Sequence, residues 1–331
     1  MSEKVLVTGG AGFMGSHVAR ELVAMGRQVT VVDDLSGGFR ENVPKGATFV
    51  EGSVTDAELV ERLFRENGFE HVYHLAAYAA EGLSHFIKRF NHTNNLIGSV
   101  NLINGAVNHG AECFVFTSSI AVYGEGQLPM REEMTPRPED PYGISKYAVE
   151  LELAASRKMF GLDYVIFRPH NVYGENQNIG DRYRNVVGIF MNQILKGEPM
   201  TIFGDGSQTR AFTYIGDVAP VLARAPEVAE ARNRVFNVGA DAVVSVNELS
   251  EIVARAMGAE HKVRHLPARK EVVHAFSDHS LLERVFGERA ETGLAEGVRR
   301  MAAWVKRAGA RTSKPFGEIE VRKNMPEAWR T

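Results

Sequence analysis

The sequence contains very little cysteine, and this scarcity excludes one way of stabilising a fold. Of its 331 residues only Cys113 is a cysteine, so a disulfide framework within the chain is impossible. Because Cys113 begins an apolar run, we expect a buried and inert thiol there. Stability must come from a hydrophobic core instead, and a chain of this length can bury a large one.

The chain also lacks strong charge of either sign and long apolar runs. Its 38 Lys and Arg against 41 Asp and Glu give a net charge of -3, without a marked basic block. We therefore expect no nucleic-acid or membrane partner. No stretch is apolar for long enough to span a bilayer, and the N-terminal residues show no signal-peptide pattern. Together these features predict a soluble, cytoplasmic protein.

Metal-ligand spacing is absent as well. The histidines of the first third form no cluster with acids, and His71 and His74 lie three apart on a predicted strand. Side chains three apart on a strand point to opposite faces, so this pair cannot share an ion. We predict that the protein holds no metal.

The first half of the chain instead alternates between two patterns. Short runs rich in β-branched residues, such as "KVLVTG", "QVTVVD", "CFVFTSS" and "YVIFRP", predict strands buried on both faces. Helical stretches separate them, and several end in glycine. This repeated order predicts an α/β fold, a Rossmann doubly wound parallel sheet with a second, smaller α/β lobe that binds substrate.

The domain boundaries follow from where the alternation weakens. We predict one Rossmann domain over residues 1–170, with later strands near 213–240 returning to it. Residues 171–212 and 241–331 are predicted to form the substrate-binding lobe. The polar tail from Arg311 onward gives no indication of whether it packs.

A glycine-rich turn follows the first predicted strand. In "VTGGAGFMGSH" the three spaced glycines are Gly9, Gly12 and Gly15, directly before a predicted helix. The first glycine permits a tight turn, the second lets a pyrophosphate approach the backbone, and the third lets helix and strand pack closely. This context predicts a dinucleotide site.

An acid at the end of the second predicted strand indicates which dinucleotide binds. Asp33 stands about twenty residues beyond the glycines, where a carboxylate accepts hydrogen bonds from the adenosine ribose. It would repel the extra phosphate of NADP, and no arginine follows directly. We predict NAD rather than NADP.

Two further stretches carry candidate catalytic groups. "DPYGISKYAVE" places Tyr142 and Lys146 one helical turn apart, so a lysine cation lies near a phenol and is expected to lower its pKa. "FVFTSSIAVYG" places hydroxyls where a strand ends, and Ser119 is the one chosen to bridge the substrate and Tyr142, with Ser118 behind it. A phenolate of this kind is a competent base toward a sugar hydroxyl.

Taken in order, these motifs resemble one family. "TGGAGFMG", Asp33, "HLAA", "NN", "TSSIAVYG", "YGISK" and "RPHNVYG" recur in the extended short-chain dehydrogenase/reductase family. More narrowly, nearly the whole chain looks like the nucleotide-sugar epimerases typified by UDP-glucose 4-epimerase. The resemblance implies a homodimer that binds a nucleotide-diphosphate sugar, with UDP-sugars favoured. It implies that the two chains meet through the helix near Asn94 and the helix that carries Tyr142.

The resemblance also implies residue roles. Ser119, Tyr142 and Lys146 would be catalytic. Cofactor contacts are implied for Gly9, Gly12, Phe13, Met14, Gly15, Asp33, Asp34, Ser53, Val54, Leu75, Ala76, Ala77, Asn94, Tyr142, Lys146 and His170. Substrate contacts are implied for Ser119, Asn171, Asn185, Val186, Phe203, Arg210, Arg269 and Glu271.

Small apolar residues after Ser119 favour one reaction over others. Related 4,6-dehydratases carry an Asp-Glu pair there and uronate decarboxylases a Glu, whereas this chain has Ile120 and Ala121. Without an acid for a second step, a 4-keto intermediate can only be reduced again, which predicts 4-epimerisation of the UDP-glucose/UDP-galactose type. The alternatives are a 4-ketoreductase, a uronate epimerase or decarboxylase, and, more remotely, a non-catalytic NAD-binding sensor.

Three positions depart from the family or suggest its specificity. Ser53 stands where the family usually has an Asp that contacts adenine, so that contact could shift to the Val54 backbone. Glu81 lies in a stretch that lacks the residues usual for the family at this place, and it could face either the sugar or solvent. Ala275, near the position that limits sugar size, is small and hints that an N-acetyl or uronate group fits.

Overall fold

A seven-stranded parallel sheet organises the chain. The computed structural model describes residues 2–181, 183–268, 274–288, 291–313 and 316–326. The strands of the sheet in chain order are β1 (Lys4–Thr8), β2 (Gln28–Asp33), β3 (Thr48–Glu51), β4 (His71–His74), β5 (Cys113–Thr117), β6 (Asp163–Pro169) and, late in the chain, Arg234–Val238. Their order across the sheet is Arg234–Val238, β6, β5, β4, β1, β2, β3. The predicted Rossmann sheet is confirmed, while the division into two lobes at residue 170 stays a prediction.

Helices cover both faces of this sheet because alternate strand residues point to opposite sides. Val5 and Val7 enter one core cluster and Leu6 enters the other. The helices in chain order are α1 (Phe13–Ala24), α2 (Ala57–Asn67), α3 (Glu81–Ser84), α4 (Lys88–His92), α5 (Gly98–Asn108), α6 (Pro141–Phe160), α7 (Val186–Leu195), α8 (Ile215–Ala223), α9 (Val246–Met257), α10 (Ser280–Phe286) and α11 (Leu294–Ala308).

Shorter strands form three small sheets beside the large one. They are β7 (Val172–Tyr173), β8 (Met200–Phe203), β9 (Thr209–Ala211) and β10 (Thr213–Tyr214), then, after Arg234–Val238 as β11, β12 (Val243–Ser245), β13 (Val263–Leu266) and β14 (His274–Ala275). β7 pairs with β10, β8 with β13, and β9 lies between β12 and β14. These sheets carry Phe203, Arg210 and Ala275.

The helix that carries Tyr142 begins and ends on strong local signals. Asp140 caps α6 by accepting a hydrogen bond from the Gly143 amide at 3.0 Å, and Pro141 occupies the first helical position. Gly161 ends the helix in the left-handed conformation. These signals fix the residue at which α6 begins, and therefore place Tyr142 in its first turn.

Cys113 lies in β5 and is fully buried. Burial raises the pKa of its thiol to about 12, so the prediction of an inert thiol is confirmed. Within the described residues, no helix combines the length and apolar character needed to cross a membrane.

Candidate functional site

One large cleft lies at the carboxyl ends of the sheet strands. Its volume is about 1390 Å³, and its lining includes the ends of β1, β2, β5 and β6 together with parts of the small sheets. The strand order reverses at β1: β2 and β3 lie on one side of it, and β4 and the later strands lie on the other. Open parallel sheets bind ligands at such a topological switch point. The volume exceeds what a single drug-sized ligand needs and suits a dinucleotide beside a second ligand.

Two glycines of the β1–α1 turn are required by the local geometry. Gly9 has a φ of +71°, and a Cβ there would lie 2.7 Å from the Ala76 amide nitrogen. A Cβ on Gly15 would lie 2.1 Å from the Gly9 carbonyl oxygen. Glycine is therefore needed for the turn and for the close approach of α1 to that turn, as the sequence predicted.

Asp33 ends β2 beside this turn and is 8% exposed. Its carboxylate accepts hydrogen bonds from the amides of Ala11 at 3.0 Å and Leu35 at 2.8 Å, which fixes its orientation. Burial raises its pKa. Asp34 instead accepts from the Ser36 amide at 2.9 Å, within the turn.

The sequence showed no arginine directly after Asp33, yet the fold brings one to the same loop. A Cβ on Gly37 would lie 3.2 Å from the Arg184 guanidinium. Arg184 is already paired with Asp181 at 2.6 Å, and its guanidinium carbon lies 4.7 Å from the centre of the Tyr78 ring. Arg184 therefore lies beside this loop in an ion pair, and its charge also lowers the pKa of Tyr142 against the effect of burial.

The remaining cofactor residues implied by the resemblance also line this cleft. They are Phe13, Met14, Ser53, Val54, Leu75, Ala76, Ala77, Asn94 and His170. Ser53 forms a hydrogen bond with the Thr55 hydroxyl at 2.9 Å. Asn94 lies in a π-helical turn, Thr93–Ile97, between α4 and α5, and such turns are frequent at functional sites. Their individual roles stay predictions.

The predicted catalytic residues come together where β5 ends and α6 begins. The Ser119 and Tyr142 side chains lie close enough for the serine hydroxyl to act on the phenol, whose pKa it lowers against the effect of burial. Ser119 Oγ accepts a hydrogen bond from the Ala121 amide at 3.1 Å. Lys146 Nζ donates to the Thr117 carbonyl at 2.7 Å and lies 5.8 Å from the centre of the Tyr142 ring. All three residues are buried and line the cleft.

The predicted lowering of the pKa of Tyr142 by Lys146 is wrong for the protein without bound ligands, because the pKa of Tyr142 is raised overall. Burial raises the pKa of Tyr142 well above its usual value of about 10. Burial also lowers the pKa of Lys146 to about 7, so the amine is only partly charged at neutral pH. The nearest acids, Glu81 and Asp140, act on Tyr142 in the opposite sense to a cation.

Behind these residues a buried ion pair holds the segment Ser118–Ser119, which follows β5. Ser118 Oγ donates to Glu150 at 2.5 Å, and Arg168 binds both oxygens of the same carboxylate, at 2.9 and 2.5 Å. Glu150 lies one helical turn beyond Lys146 on α6 and raises its pKa, against the effect of burial. Ser118 therefore belongs to the support of the site, and Ser119 faces the cleft.

The predicted substrate residues that the structure describes line the same cleft. They are Ser119, Asn171, Asn185, Val186, Phe203 and Arg210. Asn171 and Asn185 have positive φ values, 41° and 65°, and donate side-chain hydrogen bonds to the carbonyls of Ala211 and Val172. Arg210 donates to the Thr209 carbonyl at 2.8 Å. Arg269 and Glu271 lie outside the described residues.

The wall beside Ser119 is apolar. Ile120 packs in one cluster with Val122, Tyr123, Met130 and Ala275, and both Ile120 and Ala275 line the cleft. Ala121 lines it as well. No carboxylate therefore stands directly after Ser119, and the side chain at 275 leaves space.

Acids also reach this wall from other elements, and one of them, Glu81, was left open by the sequence between the sugar and solvent. Glu81, in α3, lines the cleft and raises the pKa of Tyr142, as does Asp140. The Ser84 hydroxyl, also in α3, donates to Asp140 at 3.3 Å and to the Glu81 carbonyl at 2.6 Å, which ties α3 to the start of α6. The one indication in the sequence was that the residues around Glu81 differ from those usual for the family.

The polar tail also packs against this region. Phe316 contacts the rings of Tyr78 and Phe90, with centroids 5.2 and 4.9 Å away. Glu320 accepts hydrogen bonds from the amides of Arg89 and Phe90 at 2.7 and 2.8 Å, at the first turn of α4. Asn324 and Pro326 then line the cleft. The tail thus forms part of the wall, which the sequence did not reveal.

The cleft fits a dinucleotide on structural grounds. Gly9, Gly12 and Gly15 line the cleft, and α1 begins at this turn, so the amides of its first turn can bind a pyrophosphate. Two lining residues, Thr117 and Gln177, have buried side-chain oxygens without a hydrogen-bond partner among the described residues. Such atoms favour a polar ligand. The described residues contain no group of three or more potential metal ligands.

Comparison with known proteins agrees with this reading of the site. Residues 5–239 match the model of the NAD-dependent epimerase/dehydratase family. The putative UDP-glucose 4-epimerase of Methanocaldococcus jannaschii is 35% identical over 306 residues, which is 91% of this chain and 98% of that protein.

Two solved structures are similar along almost the whole chain. The UDP-glucose 4-epimerase of Thermotoga maritima, solved with UDP-glucose, has a TM-score of 0.88 and 35% identity, covering 92% of this chain and 99% of its own. The UDP-glucose 4-epimerase of Thermus thermophilus, solved with NAD, has a TM-score of 0.84 and 36% identity, covering 91% and 98%.

Proposed function

Because this chain belongs to the NAD-dependent epimerase/dehydratase family, we propose that it is a nucleotide-sugar 4-epimerase of the UDP-glucose/UDP-galactose type. The observation that carries the proposal is the grouping of Ser119, Tyr142 and Lys146 in one cleft, next to a wall that starts with Ile120 and Ala121. The first three residues suit removal of a hydroxyl proton. The wall offers no acid there for elimination.

Tyr142 is the base of the proposed reaction. Its phenolate takes the proton of the sugar 4-hydroxyl, and Ser119, which lies close enough to act on the phenol oxygen, guides this transfer. NAD, when bound, supplies the hydride acceptor and donor. Protonated Lys146, held by the Thr117 carbonyl, favours the phenolate by its charge, and its pKa of about 7 lets this charge respond to ligand binding.

The fate of the keto sugar follows from the residues around it. Because Ile120 and Ala121 place no acid directly after Ser119, we expect carbon 4 to regain hydride before another bond of the sugar breaks. Return of hydrogen to the opposite face inverts carbon 4, and Tyr142 then gives its proton back to the oxygen. This sequence of steps is an epimerisation and consumes no cofactor.

A UDP-linked neutral hexose is the substrate that the cleft supports best. Phe203 provides an aromatic surface for a base, and Asn171 and Arg210 provide donors for a diphosphate. The acids that act on Tyr142, Glu81 and Asp140, would repel a uronate carboxylate at the sugar. Glu81 and Asp140 therefore favour a neutral sugar over the uronate that the space at Ala275 would admit.

We also propose that the protein acts as a homodimer through α6 and the helix that runs from α4 to α5. Ile144 and Leu151 lie two turns apart on α6 and are 45% and 54% exposed, and Ile97 is 49% exposed. Large apolar side chains aligned on neighbouring helices are typical of an interface. Light scattering should give a dimer for the wild type and a monomer for Leu151→Glu, and a monomeric wild type would contradict the proposal.

The activity is tested by incubation with UDP-, dTDP-, GDP- and CDP-sugars while carbon 4 is observed by NMR. The proposal expects UDP-glucose and UDP-galactose to interconvert with a steady nicotinamide absorbance. Stoichiometric consumption of reduced cofactor would indicate a 4-ketoreductase instead. Loss of carbon dioxide from a UDP-uronate would indicate a decarboxylase, and NAD binding without any turnover would indicate a sensor. The cytoplasmic location stays a prediction.

A further inference from the structure

A buried pair of histidines joins the end of β6 to the segment before α10. His170 and His279 are each 2% exposed, and their Nε2 atoms lie 3.0 Å apart. The ring centroids are 5.1 Å apart with planes inclined by 24°. Because the rings are nearly coplanar and the centroids lie further apart than the nitrogens, the rings meet edge to edge. This arrangement directs one nitrogen at the other, as a hydrogen bond requires.

The other ring nitrogens determine where the protons are. His170 Nδ1 lies 3.1 Å from the Ala211 carbonyl, which can only accept, so this nitrogen carries a hydrogen. His279 Nδ1 lies 2.6 Å from Asp241 Oδ1. The Asp241 side chain is 63% exposed and meets the ring as a carboxylate, so this nitrogen also carries a hydrogen.

The proton count then leaves one hydrogen to assign. A neutral imidazole carries a single N–H, and each ring has already used it at Nδ1. Two neutral rings would therefore place two lone pairs face to face at 3.0 Å, without a hydrogen between them. One extra proton resolves this conflict. It is best held by His279, whose Nε2 lies 3.0 Å from the Ser277 hydroxyl as well as from His170.

The surroundings compensate the resulting positive charge. Asp241 is its direct counter-ion, and Asp278 precedes His279 in the chain. Asp278 is itself bound by the Ser280 amide at 3.0 Å and lies 3.8 Å from Arg131. From β9, the group that faces the pair is the neutral Ala211 carbonyl.

The pair is connected to the wall of the cleft through one shared acceptor. The Ala211 carbonyl accepts from His170 Nδ1 and also from Asn171 Nδ2, each at 3.1 Å. Both residues line the cleft. The orientation of His170, and with it that of Asn171, therefore depends on what His170 Nε2 contacts behind the wall.

We propose that His170 and His279 share one extra proton, with Asp241 as counter-ion, and that His279 and Asp241 are positioning residues for His170 and Asn171. While the proton is present, it bridges the two segments and holds the cleft wall. As the pH rises through the titration of the pair, the bridge is lost and the lone pairs repel. The contribution to ligand binding is thus present at lower pH and lost at higher pH.

Imidazole NMR on ¹⁵N-histidine protein tests the proton count directly and does not depend on the proposed activity. At neutral pH the wild type should show a doubly protonated His279 beside a His170 with hydrogen on Nδ1. Asp241→Asn should lower the proton affinity of the pair by about tenfold or more, since the counter-ion is lost. The control, Asp278→Asn, removes an acid that acts on His279 by charge without a hydrogen bond to the ring, and it should shift the titration less than Asp241→Asn does.

Two neutral rings in the wild type at neutral pH would overturn the proposal. So would an unchanged titration in Asp241→Asn.

Calorimetric binding of UDP across pH tests the positioning role. His279→Gln keeps an N–H donor for His170 Nε2 but no titrating proton, so UDP should bind with the neutral-pH affinity of the wild type and with a flatter pH profile. His279→Ala should bind more weakly at all pH values. The same pH profile for wild type and His279→Gln would overturn the positioning role. Failure of UDP to bind any variant or the wild type would count against the proposed function, while the NMR result would stand.

Discussion

The cleft has two sides that are built in different ways. The glycine-loop side, made by Gly9–Gly15 and Asp33, comes from one continuous strand–turn–helix–strand segment and relies on backbone shape. The serine–tyrosine side is made by Glu81, Ser119, Ile120, Tyr142 and Ala275, which come from four separate parts of the chain. One side is local in sequence and the other is assembled only by folding. The binding of a cofactor and the choice of a reaction can therefore be altered separately.

Replacement of Tyr142 by Phe should separate the two sides most clearly. The phenol oxygen beside Ser119 is lost, while the ring and its packing remain. We expect turnover of UDP-glucose to fall by about 10³-fold, since a general base contributes on that order. NAD content, measured by absorbance after denaturation, should stay at the wild-type level. Activity that survives would contradict the role of Tyr142 as base.

Replacement of Gly15 by Ala should damage the opposite side. The new Cβ would lie 2.1 Å from the Gly9 carbonyl oxygen, so the backbone of the turn must move. We expect the free energy of unfolding to fall by more than about 2 kcal/mol, together with a loss of NAD. Chemical denaturation and cofactor content measure the two effects.

Gly293→Ala is the matched control for this change. No described atom lies within 4 Å of a Cβ at Gly293, and its φ of -54° suits alanine. Because Gly293 is the N-cap of α11, where alanine is less favourable than glycine, the stability of this variant should fall by about 1 kcal/mol at most, less than the loss in Gly15→Ala. Equal losses in Gly15→Ala and Gly293→Ala would mean that the glycine turn has no special geometric requirement.

The two sides also differ in how much of each could be predicted from sequence. The strands of the central sheet, the glycine turn and the Tyr142–Lys146 pair are signalled by neighbours along the chain, and each was found in its predicted place. Glu81 could not be assigned because its position beside Tyr142 depends on the contact between Ser84 and Asp140. The packing of Phe316 on Tyr78 and Phe90 likewise joins segments far apart in the chain.

Burial explains the one error of chemistry. Spacing along α6 correctly brings Lys146 near Tyr142, but spacing does not report how far a group is removed from water. Burial is the largest influence on both pKa values, and it favours the neutral form of each group. It raises the pKa of Tyr142 and lowers the pKa of Lys146. A prediction from neighbouring charges alone therefore had the wrong sign for Tyr142.

The buried Lys146 gives the serine–tyrosine side a pH dependence that can be measured as stability. In the folded protein Lys146 releases its proton near pH 7, whereas in the unfolded chain it keeps the proton to about pH 10.4. Unfolding between these pH values takes up a proton, so stability rises with pH by about 1.4 kcal/mol per unit at most. From pH 7 to 8.5 the gain is about 2 kcal/mol.

Comparison with Lys146→Met isolates this contribution. The variant removes the titrating amine, while other groups such as Cys113 are common to both proteins, so the difference in slope belongs to Lys146. Urea denaturation at several pH values, with equal cofactor content in both proteins, gives the two curves. Parallel curves for wild type and variant would show that Lys146 is not shifted by burial.

Replacement of Glu81 by Gln should have the smallest effect and addresses the sugar alone. Glu81 is solvent-exposed within the cleft and acts on Tyr142 by charge. Loss of this charge should improve the affinity for UDP-glucuronate relative to UDP-glucose by up to about fivefold, the range of a partly screened charge interaction. Glu139→Gln is the control, because Glu139 is also exposed and lines the cleft but is not among the charges that most affect Tyr142. Competition binding of the two nucleotide sugars gives the ratio for each protein. If both variants keep the wild-type ratio, the acid of α3 does not select the sugar, and selection rests with the apolar wall of Ile120 and Ala275.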